Sequence, residues 1–347
     1  AKKQHAHLQS LVARLKELEK QPTAYIGRFS APMPTHRLYR GEPMSKRELM
    51  QPNTLAIVGD LQLTNAASGP ERRLAFAKWV ANPANPLTAR VIVNRIWQFH
   101  FGEGLVSTPS DFGANGSAAS HPLLLDWLAA ELIDNNWSIK HIHRLILTSK
   151  TWQQESRPRS NAMALDSSSQ LLCRYPPHRL EAEAIRDSIL AASGKLRHDG
   201  GGPGFSGFAV QYENVRHYLP KTEFEHQDWR RMVYMTRVRK EVESVFGAFD
   251  CPDGNQVTPK RTRSTTPLQA LNLLNSAFVL QQAEFLAERL KSESDAREQW
   301  IETSYNLCFG RPPTQKEARL ASQMLEELGL TQYCRVLLNS NEFVFVL

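Results

Sequence analysis

The stretch "HPLLLDWLAAELIDNNWSIKHIHRLILTSKTW", residues 121–152, contains two consecutive helix patterns. Apolar residues recur at helical spacing in both halves, and Pro122 and the pair Asn135–Asn136 mark the boundaries. Similar patterns fill much of the chain beyond residue 70, as in "PLTARVIVNRIWQFHF" (86–101) and "PLQALNLLNSAFVLQQAEFLAERL" (267–290). The sequence therefore predicts a mainly α fold with a multi-helical body.

Changes in composition divide the chain into four segments. Residues 1–21 form an amphipathic helix, interpreted as the tail of an upstream module, and residues 22–69 an extended Pro-rich N-terminal arm with β-like pieces at 35–40 and 54–58. Residues 70–196 form a helical lobe. Residues 197–347 form the second part of the helical body, with a loop, a β-like piece at 230–238 and C-terminal helices. Minor β elements are thus expected in a helical protein.

Charge and cysteine spacing limit the function without naming it. The net charge is +7 and the pI about 9.3, which suits nucleic acid, anionic lipid or acidic polysaccharide, although acids and bases alternate as on a solvated surface. No apolar run reaches the roughly 18 residues of a membrane span. The four cysteines have no zinc or covalent-haem spacing, so we expect no metal and no cofactor in this chain, while disulfides remain open.

Several long segments resemble one known family. They include "RLAFAKWVANPANPLTARVIVNRIWQFHFGEGLVSTPSDFG" (73–113), "YPPHRLEAEAIRDSILAASGKL" (175–196) and "RTRSTTPLQALNLLN" (261–275). They are similar to a planctomycete-type C-terminal domain of unknown function, found in large secreted proteins that often carry an N-terminal cytochrome c domain. The resemblance implies an extracytoplasmic (periplasmic or secreted) setting, haem only in a separate domain of the parent protein, partners among its other domains, and neighbouring genes for polysaccharide degradation.

A charge cluster in "RLEAEAIRD" (179–187) is the first candidate site. Spacings of three and four residues along a predicted helix place Arg179, Glu183, Arg186 and Asp187 on one flank. Glu183 and Asp187 are the candidate catalytic acid and base, since neighbouring turns can reach glycosidase carboxylate separations. In that case Arg95, Arg179 and Arg186 would orient an anionic group. An ion-pair network at a helix junction is the favoured alternative.

A second group of candidates lies in "NRIWQFHFG" (94–102) and "SDFG" (110–113). Aromatic rings at Trp97 and Phe99 could pack on a sugar, with Arg95 and Asp111 supplying hydrogen bonds. Core packing is the favoured interpretation for the aromatic residues because they have helical core spacing. Arg95 remains the stronger functional candidate.

The stretch "FDCPDGNQVTPKRTRSTTPLQALNLLN" (249–275) holds the last candidates. Thr266, Pro267 and Gln269 predict a capped helix start. Arg261 and Arg263 precede it and could hold a sulfate or carboxylate, or else the protein's own Asp250 and Asp253 in an internal clasp; these two alternatives stay open. A calcium loop is disfavoured because the required alternation of acids is missing.

Two further patterns resemble a metal site and a nucleic-acid-binding motif. His141 and His143 stand two apart on a predicted helix, so they point to nearly opposite sides and do not chelate one ion. The helix pair in residues 124–157 imitates a helix-turn-helix, but its isoleucines look packed, and nucleic-acid binding is the weak alternative. We expect an extracytoplasmic module that binds or processes an anionic polysaccharide. A non-catalytic structural or interaction domain that docks the parent protein's other modules is the main alternative.

Overall fold

The computed structural model describes residues 2–19, 27, 30–239, 241, 245–252 and 254–346. By internal contacts the chain separates into two compact units, residues 1–89 and residues 90–347. In the described residues the helices follow the order α1 (Lys2–Glu19), α2 (Gly69–Val80), α3 (Thr88–Phe101), α4 (Pro122–Asp134), α5 (Ile139–Leu147), α6 (Ser160–Leu165), α7 (Ala182–Ala192), α8 (Pro267–Asn275), α9 (Ala277–Glu293), α10 (Arg297–Phe309), α11 (Gln315–Leu328), α12 (Leu330–Leu338) and α13 (Asn341–Val344). The predicted mainly α fold is confirmed.

Three antiparallel strand pairs make up the described sheet structure. Their strands are β1 (His36–Leu38), β2 (Lys46–Leu49), β3 (His178–Arg179), β4 (Phe208–Tyr212), β5 (Arg216–Pro220) and β6 (Phe345–Val346), with the pairings β1–β2, β3–β6 and β4–β5. The β-like piece predicted at 35–40 is confirmed in β1. The β prediction at 54–58 is wrong, because Ala56–Val58 forms a 3-10 turn. The piece predicted at 230–238 is confirmed only as two isolated β-bridges, at Arg230 and Met235, with a 3-10 turn between them.

The first unit contains α1, α2 and the β1–β2 pair. The predicted helix in residues 1–21 is confirmed over Lys2–Glu19, whereas its origin in an upstream module stays a prediction. Much of the junction with the predicted arm, residues 20–26, 28 and 29, lies outside the described residues. Further along, the Trp79 indole on α2 donates a hydrogen bond of 3.1 Å to the Val58 carbonyl. A capping box between Ser68 and Glu71 starts α2.

In the second unit, α7 and α9 form the centre of the larger hydrophobic core. Ile185, Ile189 and Leu190 of α7 and Val279 and Leu286 of α9 are fully buried. Complete burial of such side chains stabilises the fold by about 1.5–3 kcal/mol each. Because α7 is fixed by this core, the polar residues on its remaining face hold defined positions.

Helix starts in the second unit follow the predicted capping pattern. The Thr314 hydroxyl accepts from the Glu317 amide, and the Glu317 carboxylate accepts from the Thr314 amide at 2.7 Å, so α11 begins with a capping box. At α8 the Gln269 side chain accepts from the Thr266 amide at 3.3 Å, and Pro267 occupies the first turn. Both predicted boundaries are confirmed.

The two helices of the opening stretch are α4 and α5. Asn136 and Trp137 in the connection have φ values of 55° and 58°, and Ile142 and Ile146 of α5 are buried. The predicted packing of these isoleucines is therefore confirmed, whereas Ile139, also expected to be packed, is exposed. Within the described residues no helix combines the length and apolar character needed to cross a bilayer.

Candidate functional site

A cleft runs along the polar face of α7. We call it cleft A, and its volume is about 590 Å³, within the range typical of ligand pockets. The side chains that matter for its chemistry are Phe99, His178, Glu183, Asp187, Arg231 and Arg263. Cleft A thus contains both candidate carboxylates and one of the two candidate arginines from the loop before α8.

Glu183 in cleft A is held by arginines of the protein itself. Arg261 binds its carboxylate with both terminal nitrogens, Nη1 to Oε2 at 2.6 Å and Nη2 to Oε1 at 3.1 Å. Arg237 Nη2 lies 3.5 Å from Oε1, and Arg261 Nη1 also lies 3.0 Å from Glu181 Oε2. A two-point arginine–carboxylate contact is among the strongest hydrogen-bonded pairs in proteins. Arg261 therefore meets internal carboxylates, but Glu181 and Glu183 rather than the expected Asp250.

This pairing fixes the charge of Glu183. Burial, the largest single effect, raises the pKa of its carboxyl group. The hydrogen bonds and charge of Arg261, together with hydrogen bonds from the Glu183 backbone and Cys251, outweigh burial, so the pKa lies below its usual value. A carboxyl group that stays ionised cannot donate a proton to a leaving group. The geometry therefore favours the structural alternative for Glu183 over the role of catalytic acid.

Cys251 adjoins the same carboxylate. Its Sγ lies 3.5 Å from Glu183 Oε1 and 2.6 Å from Arg237 Nη2. Burial and the Glu183 charge raise the pKa of the thiol to about 11, so it is not an activated nucleophile. The four cysteines, all within the described ranges, are free thiols.

Asp187, the second carboxylate of cleft A, also has internal partners. Its Oδ1 accepts from the Met232 amide at 2.7 Å, and its Oδ2 accepts from Arg231 Nε at 3.2 Å. Asp187 thereby fixes the backbone at the start of the 3-10 turn Met232–Tyr234. The structure places Glu183 and Asp187 in one cleft as expected, and both are engaged.

Arg179 and Arg186 differ from their predicted placement. Helix α7 begins at Ala182, so Arg179 lies in β3, where Nη2 contacts Asp250 Oδ2 at 2.6 Å. Arg186 is buried at the side of α7, where it donates to the carbonyls of Asp228 and Arg230, and its Nη1 lies 3.9 Å from Asp187 Oδ1. The predicted single flank of charges was wrong because β pairing with β6 sets the chain extended at Arg179.

Arg263 is the candidate arginine that has no partner among the residues described by the structure. Its half-buried side chain has no hydrogen bond or ion pair with any residue that the structure describes. It lines cleft A beside His178, and its charge contributes to lowering the pKa of that histidine after the larger effect of burial. The other half of the open alternative, Asp253, lies outside the described residues.

Arg95 and Asp111 are not brought to cleft A. Arg95 Nη2 lies 3.5 Å from the Ser110 hydroxyl, and its buried Nε has no hydrogen-bond partner in the described part of the chain. Asp111 Oδ1 accepts from the Gly113 amide at 2.9 Å in an exposed turn. Helix α3 instead contributes Phe99 to cleft A, with its side chain 62% exposed.

His178 was missed by sequence reasoning. The signal available was its position directly before Arg179 in "YPPHRLEAEAIRD", where two prolines fix the preceding chain. The histidines that were weighed, His141 and His143, have separate partners, as their spacing predicts. His141 Nε2 lies 2.9 Å from Glu131, and His143 Nδ1 lies 2.8 Å from His100 Nε2. Within the described ranges no group of three metal-ligating side chains is found.

Protonation of His100 and His178 should destabilise the protein. Burial, and then the charge of His143, lowers the pKa of His100, and burial is also the largest cause for His178. Since the unfolded chain titrates near 6.5, it binds more protons than the folded state below that pH. The free energy of unfolding should therefore fall as pH decreases through 6.5 and level off below the folded pKa values.

Urea unfolding at a series of pH values from 8 to 5 measures this effect. His100→Gln should reduce the slope, whereas His198→Gln at an exposed position should not. Equal slopes for the wild type and the His100→Gln variant would contradict the assignment.

Comparison with protein families identifies the class of the chain. Residues 72–325 match the model of PSD1, "Protein of unknown function (DUF1553)", and the chain therefore belongs to this family. No curated protein matches the sequence, and no solved structure matches either. The resemblance to a domain of unknown function is confirmed, and the match includes α7, the Arg261–Arg263 loop and cleft A.

Proposed function

We propose that this domain binds an anionic polysaccharide in cleft A, with Arg263 contacting a sulfate or carboxylate group. The observation that carries the proposal is the half-buried guanidinium of Arg263, unpaired among the described residues, at a cleft of about 590 Å³. A guanidinium presents a planar fork of donors that matches carboxylates and other oxyanions.

The neighbouring charges support a binding role for Arg263 in particular. Glu183 is occupied by Arg261, and Asp250 by Arg179 at 2.6 Å. Removing a cation from water without a partner costs free energy, which a bound anion would offset. Among the charged residues of this region, Arg263 is thus the one at which binding of an external anion releases the most free energy.

An exposed aromatic ring supports a sugar as the carrier of the anion. Phe99 lies on the wall of cleft A and is 62% exposed. Aromatic faces pack on apolar surfaces, including the C–H faces of sugar rings. The net charge of +7 also favours association with a polyanion.

The wider setting is proposed from the family resemblance. In this proposal the chain is an extracytoplasmic module of a larger planctomycete-type protein with a cytochrome domain, and it has no cofactor of its own. Processing of the polysaccharide by Glu183 and Asp187 stays a prediction. Both carboxylates form ion pairs within the protein, and this arrangement supports a binding function better than a catalytic one.

Arg263→Ala should weaken binding of dextran sulfate about 10- to 100-fold, because a hydrogen bond to a charged group contributes about 1.5–3 kcal/mol. Calorimetric titration at physiological salt measures the affinity. Unmodified dextran, which has the same backbone without sulfate, should not bind measurably.

Arg297→Ala is the matched control, because it removes the same charge from a side chain that is 62% exposed. The ion pair of Arg297 is long, with Nη1 lying 3.8 Å from Glu326 Oε1. It should change the affinity less than threefold or so, as expected for an exposed charge. Equal losses in the two variants would reduce the binding to net charge and contradict a specific role of Arg263. If no anionic glycan binds the folded protein, the alternative of a docking domain is favoured.

A further inference from the structure

A second cleft adjoins cleft A. We call it cleft B, and its volume is about 240 Å³, between the end of α3 and the chain before β3. Arg263 and His178 line both clefts. The guanidinium of Arg263 therefore stands where the two clefts meet, and one extended ligand could occupy both sides of it.

Cleft B differs from cleft A in its charge. Glu103 is the carboxylate in its lining, and Lys260 neutralises it at 3.0 Å. Apart from His178 and Arg263 at the border with cleft A, the remaining polar side chains are uncharged hydroxyl and amide groups, such as Ser107, Ser120, Ser168 and Gln170. They lie among aromatic and aliphatic residues such as Trp97 and Leu105. Apart from its border with Arg263, cleft B thus offers neutral hydrogen-bonding groups beside an apolar surface.

Gly102 makes the junction of the clefts sterically open. Its φ is +85°, and a Cβ atom at this position would lie 2.7 Å from Arg263 Nη1. Glycine adopts this backbone conformation without a steric penalty. The absence of a side chain at Gly102 therefore allows Arg263 to lie close against the wall of cleft B.

We infer that clefts A and B are two subsites of one groove, and that its ligand is a linear oligosaccharide in which an anionic sugar neighbours an uncharged one. This inference rests on the proposed function of cleft A. The anion binds at Arg263, and the uncharged ring enters cleft B, where hydroxyl and amide groups contact its polar edge and apolar residues its C–H face. A chain sulfated on every ring can still bind at Arg263, but it would place a second anion in cleft B, whose described polar side chains other than Arg263 and His178 are neutral or acidic.

The test uses two probes, of which only the longer one places uncharged rings beside a sulfated galactose. One is a sulfated galactose monosaccharide, and the other is a κ-carrageenan tetrasaccharide, in which sulfated galactose alternates with uncharged anhydrogalactose. We expect the tetrasaccharide to bind at least about tenfold more tightly in calorimetric or NMR titration, as one further occupied subsite predicts.

Ala118→Leu reduces the space in cleft B from an exposed position and should leave the fold intact. It should weaken tetrasaccharide binding about tenfold and leave monosaccharide binding unchanged. Ala114→Leu, on the same loop and outside cleft B, is the matched control and should change neither affinity.

The outcomes separate the inference from the function it rests on. If Arg263→Ala weakens both probes but the tetrasaccharide binds no better than the monosaccharide, or Ala118→Leu has no selective effect, the second subsite is refuted and the function of cleft A stands. If Arg263→Ala changes neither affinity, or neither sugar binds, the proposed function fails and the inference with it.

Discussion

The Arg186→Ala variant should lose about 3–5 kcal/mol of unfolding free energy, a large part of the stability of a typical domain. Arg186 is only 2% exposed and donates to the backbone carbonyls of Arg230, at 2.7 Å, and Asp228. Each buried carbonyl that loses its donor costs about 1–3 kcal/mol. The guanidinium also packs on the rings of Phe205 and Phe278 at 4.9 and 5.1 Å, so truncation leaves a cavity.

Arg186→Met separates the two contributions. Methionine retains packing against the rings but not the two hydrogen bonds, so its loss of stability should lie between those of the wild type and Arg186→Ala. Urea unfolding followed by circular dichroism measures all three proteins. A change below about 1 kcal/mol for Arg186→Ala, a value typical of surface positions, would show that Arg186 does not hold the 228–230 segment on α7.

Asp250→Ala should be destabilising by a similar amount, about 3–5 kcal/mol, because it leaves a buried charge without its partner. Arg179 is 4% exposed and contacts Asp250 Oδ2 at 2.6 Å. Asp250 also accepts from the Ser264 amide at 2.7 Å, so it joins β3 to the loop before α8. Burial lowers the pKa of Arg179, which reflects the cost of keeping this cation away from water.

Asp250→Asn is the informative companion variant. Asp250 has a φ of +58°, a conformation that asparagine tolerates and alanine does not, and the amide oxygen can still accept from Ser264. Asn should therefore cost less than Ala, and the remaining loss measures the charge interaction. Thermal and urea unfolding in which both variants match the wild type would contradict a structural role for the Arg179–Asp250 pair.

Much of the fold could be predicted because its signals are local. The capping residues Thr314 and Glu317, and likewise Thr266 and Gln269, identify helix starts within four residues of sequence. The β4–β5 hairpin was missed, although its strands are rich in aromatic and β-branched residues such as Phe208 and Val210. Met232 looked like part of a strand but joins a 3-10 turn, because the Asp187 carboxylate binds its amide. Here a tertiary contact overrode local propensity.

The sequence predicted which charged residues belong to the candidate site, but not how they pair with one another. Arg261 and Glu183 are 78 residues apart, and Arg179 and Asp250 71, so sequence spacing could not tell which arginine meets which carboxylate. The resulting pairs decide the chemistry, since they occupy three of the candidate charges and leave Arg263 unpaired within the described chain. Each of the four residues that lay on one flank in the helical prediction has its own hydrogen-bond partners: Asp250 for Arg179, Arg261 for Glu183, the carbonyls of Asp228 and Arg230 for Arg186, and the Met232 amide for Asp187.

Arg263 is the residue on which the proposed binding function depends most, and a crystal structure of the protein with the κ-carrageenan tetrasaccharide tests its role most directly. We predict a sulfate group within hydrogen-bond distance of the Arg263 guanidinium, with Glu183 still bound to Arg261. Phe99 should border the sulfated ring. A ligand bound at Arg95 or elsewhere outside cleft A, with Arg263 unoccupied, would contradict the account.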